Sequence, residues 1–126
     1  MSNADIAIAG LNAIARGDFD AISDFLDPDV KWHAGDPDAD YACHNRNQAL
    51  AWMRSRPQRG AGPIPELVGV HEVGDRVLVI MQPLPSDEDP EPQRTANLST
   101  FRDGKVIEMV HYDDADDGLA ALASTD

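Results

Sequence analysis

Residues 4–16, ADIAIAGLNAIAR, place Ala7, Leu11, Ile14 and Ala15 at the three- and four-residue spacing of one helix face. Gly17 follows where a left-handed cap would end that helix. Asp18 stands in position to N-cap a shorter helix over 19–26, with Phe19, Ile22, Phe25 and Leu26 along one stripe. Asp27-Pro28 ends it, because a residue before proline is turned away from the helical region. Residues 30–34, VKWHA, predict a first strand, and Gly35-Asp36-Pro37-Asp38 a turn. Asn45 opens a third helix. Gln48 follows in a capping-box-like relation, and Ala49, Leu50, Trp52 and Met53 form its apolar face.

Beyond the Pro- and Gly-rich stretch 57–65 the pattern becomes strand-like. Strands are predicted at 67–73 and 76–82, joined by Gly74-Asp75, and at 94–102 and 105–112. The intervening 83–93, PLPSDEDPEPQ, cannot sustain a sheet ladder. Asp103-Gly104 is the strongest hairpin signal, since a type I′ turn needs positive φ at both central residues. A short helix is expected at 115–123. No internal repeat and no second domain is visible.

A two-residue hairpin loop implies a register: Arg102 opposite Lys105, Thr100 opposite Ile107, Leu98 opposite Met109, Ala96 opposite His111 and Arg94 opposite Asp113. These pairs would share one face. That face is apolar along its length, with Arg94, His111 and Asp113 gathered at one end, as in a small-molecule pocket. The other face would carry Phe101, Val106, Val110 and Tyr112.

Composition changes this picture mainly by exclusion. The 126 residues suit one domain; 42% are apolar and 26% charged, an ordinary globular balance. Ten Lys and Arg against 23 Asp and Glu give a net charge of −13. Nucleic-acid binding, which needs a basic footprint, and anionic membrane surfaces are not expected. Only RSRPQR at 54–59 leans basic; NRN at 45–47 carries the single Arg46. No apolar run approaches a membrane span, and the N-terminus lacks the signature of a signal peptide, so a cytoplasmic location is the expectation. Cys43 is the sole cysteine, which excludes an intrachain disulfide, and it reads as a buried small hydrophobe. His33, His44, His71 and His111 lack the spacing of a zinc site. The DDADD run at 113–117 lacks the glycine and glutamate of an EF-hand and reads as a strand-to-helix junction.

The arrangement LNAIARGDFDAISDFLDPDVKWH, a helix ending at Gly-Asp, a short helix and a strand ending in Trp-His, resembles the nuclear-transport-factor-2-like superfamily and its SnoaL-like branch. Asn45-Arg46 matches the branch's Gly-Arg helix start, with Asn where Gly is usual. VGDRVLVIM and TFRDGKVIEMVHYDD match the later strands. The resemblance covers nearly the whole chain and implies a single SnoaL-like domain over 1–126. The implied fold is α+β, a curved antiparallel sheet with the N-terminal helices packed on its concave face (a cystatin-like, cone-shaped α+β barrel). The family includes isomerases, cyclases, epoxide hydrolases, dehydratases and non-catalytic domains, so it specifies fold rather than activity. Carried over from the ketosteroid isomerases, the base falls at about Ala34, the tyrosine at about Gly10 and the second aspartate near Leu98 or Ser99; all three are missing. From the limonene-epoxide hydrolases, Asp113 and Arg76 match an aspartate and the arginine. The water-positioning aspartate falls on Leu78, however, and the Tyr and Asn on Trp32 and Ala34.

The remaining candidate chemistry is His111, Asp113 and Arg94: a residue that titrates near neutrality, a carboxylate and an anion-holding guanidinium. Trp32, Trp52, Arg76, Leu78, Leu98 and Met109 are the expected substrate contacts. His71 could join from a neighbouring strand, and His33, on the opposite face from Trp32, is expected to be exposed or at an interface. The function expected is a small-molecule pocket serving a cofactor-independent acid–base enzyme (isomerase, cyclase or hydratase/hydrolase) on an apolar substrate. The alternative is a non-catalytic ligand-binding or dimerisation domain with an inert pocket. No cofactor or metal is expected. Family members commonly pair through the outer sheet face, which predicts a homodimer here.

Overall fold

Each of the four helices seen in the computed structural model, which describes residues 2–36, 38–40, 42–55 and 65–124, begins at a side-chain oxygen that accepts a backbone N–H. Ser2 caps α1 (Asn3–Arg16) in a reciprocal box with Asp5. Gly17 ends that helix at φ 73°, in the left-handed region where a Cβ is penalised. Asp18 caps α2 (Phe19–Phe25), Asn45 caps α3 (Arg46–Arg54) and Asp114 caps α4 (Ala115–Ala123). The DDADD run is therefore a strand-to-helix junction. The Pro- and Gly-rich 57–64, most of the basic run 54–59 and Pro37 lie outside the described residues.

Five strands form one curved sheet in the order β1-β5-β4-β3-β2. They are β1 (Leu26–His33), β2 (Glu66–Val73), β3 (Arg76–Gln82), β4 (Thr95–Arg102) and β5 (Lys105–Tyr112). The fold class is as expected, with one correction: the sheet is mixed rather than wholly antiparallel, because β1 runs parallel to β5. No hairpin joins those two strands, so nothing forces them antiparallel. The sheet is also open, with β1 and β2 at its edges. The strand β1 starts at Leu26, directly out of α2, rather than at residue 30.

The hairpin turn is as read: Asp103 and Gly104 have φ of 54° and 79°, and Arg102 pairs with Lys105. The register beyond it is not. A β-bulge leaves Ile107 without a partner, so that Phe101 faces Val106 and Thr100 faces Glu108. From there every pair is displaced by one residue: Ser99 with Met109, Leu98 with Val110, Asn97 with His111 and Ala96 with Tyr112. A one-residue slip exchanges the faces that the side chains share.

The consequence is two cores, one on each side of the sheet. On the concave side α1, α2 and α3 pack on Val77, Val79, Phe101, Val106 and Met109. On the other side α4 lies against Leu78, Ile80, Ala96 and Leu98 through Ala115, Leu119 and Leu122. Gly118 lets α4 approach this closely, since a Cβ there would sit 2.9 Å from the Ala96 Cβ and 3.0 Å from Leu78 Cδ1.

Candidate functional site

Between the helices and the concave face lies a cavity of about 230 Å³. Leu11 and Ile14 of α1, Phe25 of α2, Met53 of α3, and Trp32, Val79, Met81 and Met109 of the sheet supply its apolar wall. Its polar groups are Thr95, Asn97 and Ser99, at alternate positions of β4, together with His111 of β5. His111 is the one His, Asp, Glu, Lys, Arg or Cys among the described lining residues.

The structure brings some of the expected site residues together and separates others. Trp32, Met109 and His111 line the cavity, Trp32 held by backbone bonds to Cys43 in both directions. Cys43 is buried. His111 Nε2 lies 3.0 Å from Asp113 Oδ1. A carboxylate can only accept, so Nε2 carries the hydrogen and the lone pair of a neutral ring is at Nδ1. The His111 side chain is 38% exposed, which places it at the cavity mouth, and Asp113 is 95% exposed.

Arg94 does not join them. It precedes β4, and its Nε donates to Gln82 Oε1 at 3.1 Å. Leu78 and Leu98 sit beneath α4 on the far side of the sheet, turned there by the bulge in the case of Leu98. Arg76 faces the same way and donates to the Ala121 carbonyl near the end of α4, at 3.3 Å. Trp52 lies on the outer side of α3, 40% exposed and away from the cavity wall. His71 is exposed on β2. The polar triplet Thr95, Asn97 and Ser99 was missed. Its strict alternation with Ala96 and Leu98 was legible, but both faces of β4 are covered, so the apolar set marked the α4 side and not the pocket.

His33 is buried rather than exposed. Gly35 N–H donates to its Nδ1 at 3.1 Å, so its Nε2–H is the donor to Glu108 Oε2, also at 3.1 Å. That assigns a neutral ring with both nitrogens satisfied, tying β1 to β5 on the outer face. Among the described residues no group of three or more His, Cys, Asp or Glu could hold a metal ion, and no helix is long and apolar enough to cross a membrane.

A curved sheet whose concave face is covered by helices, with a cavity between them, defines the class, the cystatin-like or nuclear-transport-factor-2-like α+β proteins. The chain belongs to the SnoaL-like domain family, whose model matches residues 8–109. Among solved structures it is similar to a Sinorhizobium meliloti protein named "putative polyketide cyclase", with TM-score 0.67 and 21% identity over 85% of this chain and 93% of that one. A Xanthomonas campestris protein with a cystatin-like fold matches at TM-score 0.70 and 20% identity, over 89% and 90% of the two chains. A de novo designed protein with a curved β-sheet matches at TM-score 0.70 and 17% identity, over 98% of each. At these identities the likeness is one of fold, which by itself carries no activity. No functionally curated protein matches the chain.

Proposed function

We propose that this protein binds a compact apolar molecule in the cavity and acts on it by one-base proton transfer through His111, with Asp113 as a positioning residue. The observation that carries this reading is the pairing of one ionisable lining residue with an apolar wall. The Asp113 carboxylate orients the ring through Nε2 and leaves Nδ1 as the proton acceptor. A single base suits reactions in which the proton taken is the proton returned. In an isomerisation, a C–H bond breaks, Nδ1 holds the proton, and it is delivered to another carbon of the same molecule. In an intramolecular aldol ring closure, the carbanion left by that step forms the new C–C bond, and the imidazolium protonates the resulting alkoxide. Both balance without a co-reactant. Hydrolysis by paired carboxylates fits less well, because no Asp or Glu lines the cavity among the described residues.

A second reading, a binding domain without chemistry, draws on the 95% exposure of Asp113, where solvent weakens its influence on the ring. Deuterium exchange separates the two. The protein should accelerate exchange of the α-protons of a small bicyclic ketone such as 2-tetralone in D2O, followed by NMR, and His111→Ala should abolish the acceleration. Binding of the ketone with exchange at the buffer rate would leave the binding domain as the answer.

A further inference from the structure

Position 10, in the middle of α1, holds a glycine that the packing of the protein does not require. A glycine inside a helix weakens it relative to alanine, so its presence calls for a reason. At Gly118 the reason is the close approach of α4 to Ala96. Gly10 has no such neighbour, because a Cβ built on it meets nothing within 4 Å. Nor does its backbone demand glycine: among the described residues the glycines at positive φ are Gly17, Gly35, Gly74 and Gly104. Elsewhere α1 fills its small positions with alanine, at Ala4, Ala7, Ala9, Ala13 and Ala15.

The open space at Gly10 belongs to the cavity. Ile6, Ala7, Leu11 and Ile14 all line it, and Gly10 lies in the same stripe, three residues after Ala7 and four before Ile14. A side chain at position 10 would therefore enter the cavity among theirs, and without one Gly10 is itself part of the wall. A dry cavity of about 150 Å³ takes a benzene, and this one is about 230 Å³. The margin suits a second ring, and the α1 stripe around Gly10 is apolar, so what fills it there is hydrocarbon. Resting on the reading of the cavity as a ligand site, we propose that Gly10 is a specificity residue: its missing side chain leaves room against α1 for the second ring of an apolar, fused two-ring ligand. His111 belongs to the sheet side of the cavity and Gly10 to the helix side. Gly10 thus selects the size of the ligand and takes no part in proton transfer.

Toluene and 2-methylnaphthalene, which differ by one fused ring, test this. Equilibrium dialysis in sealed cells gives the dissociation constants of both for the wild type, Gly10→Ala and Gly10→Leu. The wild type should bind 2-methylnaphthalene the more tightly, because the second ring takes further apolar surface out of water. Gly10→Leu fills the space, so the affinity of 2-methylnaphthalene relative to toluene should fall about tenfold or more, while that of toluene changes by less than about threefold. Gly10→Ala should lower the same ratio by a smaller factor even though alanine favours the helix, which separates lost room from a damaged fold. Circular dichroism should show both variants folded, and the alanine variant carries the test should leucine disturb the helices. A ratio that neither folded variant changes, or an equal loss of both probes, overturns the role of Gly10 and leaves the cavity as a ligand site. Failure of the wild type to bind either probe up to its solubility overturns the ligand site itself, and this proposal with it.

Discussion

Two glycines within helices should respond to the same substitution with opposite signs. Gly10 in α1 and Gly118 in α4 each weaken their helix by about 1 kcal/mol relative to alanine. At Gly10 an added Cβ meets nothing within 4 Å, so Gly10→Ala should stabilise by about 0.5–1 kcal/mol. At Gly118 the same methyl would stand 2.9 Å from the Ala96 Cβ, 3.0 Å from Leu78 Cδ1 and 3.4 Å from Tyr112 Cδ2. The Ala96 Cβ is fixed to the β4 backbone and cannot turn aside. Leu78 has a rotatable end, but it is fully buried. The helix must therefore lift from the sheet, and overpacking of this kind costs about 1–3 kcal/mol. Subtracting one variant from the other cancels the propensity gain and leaves the packing term, so the two should differ by about 1–3 kcal/mol. Urea unfolding of both proteins, with unchanged slopes, reads that difference from the midpoints. Equal stabilisation by both alanines would mean that α4 does not lie on Ala96 and Leu78, and the two-sided burial of β4 would fall with it.

Gly104→Val should destabilise by about 1–2 kcal/mol or more, because a β-branched residue is forced to φ 79°; an unchanged thermal midpoint would contradict the type I′ turn. Leu98→Ala should cost about 2–5 kcal/mol, as for a buried leucine, yet leave the binding of 2-methylnaphthalene unchanged, since Leu98 faces α4; weakened binding in the folded variant would return it to the pocket. Glu108→Ala should cost about 1 kcal/mol by removing the acceptor of the buried His33 Nε2–H, at the lower end for such a loss because water reaches the 43%-exposed Glu108. Glu108→Gln, which keeps an oxygen, should cost less than half of that, and equal losses would point to charge rather than the hydrogen bond. The homodimer stays a proposal with its surface redrawn to Lys31, Glu108 and Val110 on the outer face, since Phe101 and Val106 are buried under the helices and Tyr112 packs against α4. Sedimentation at high micromolar concentration giving 13.7 kDa would rule it out.

Local chemistry was written plainly along the chain. Asp18 and Asn45 start helices because a short oxygen-bearing side chain can reach the second or third N–H beyond it, and Gly17 stops one because it alone tolerates the left-handed region cheaply. Asp103-Gly104 closes the hairpin for the same kind of reason. These interactions span three or four residues, so the residues themselves are enough to predict them. The pocket was another matter. Ile107 bulges out of the β4–β5 ladder, and that single extra residue moved Leu98 away from Met109 and His111 and brought Asn97 and Ser99 to them. Alternation along a strand tells which residues share a face but not which face looks inward, and here both do: α4 covers one side and α1 to α3 the other. The placing of α4 on the outer face depends on the fit of Gly118 over Ala96, a contact between residues 22 apart in the chain. Hence alternation alone groups Leu98 with Met109 and His111, and only the packed layers put Asn97 beside them and Leu78 and Leu98 under α4. Face assignment is a property of layers packed together, and the layers exist only once the chain has folded.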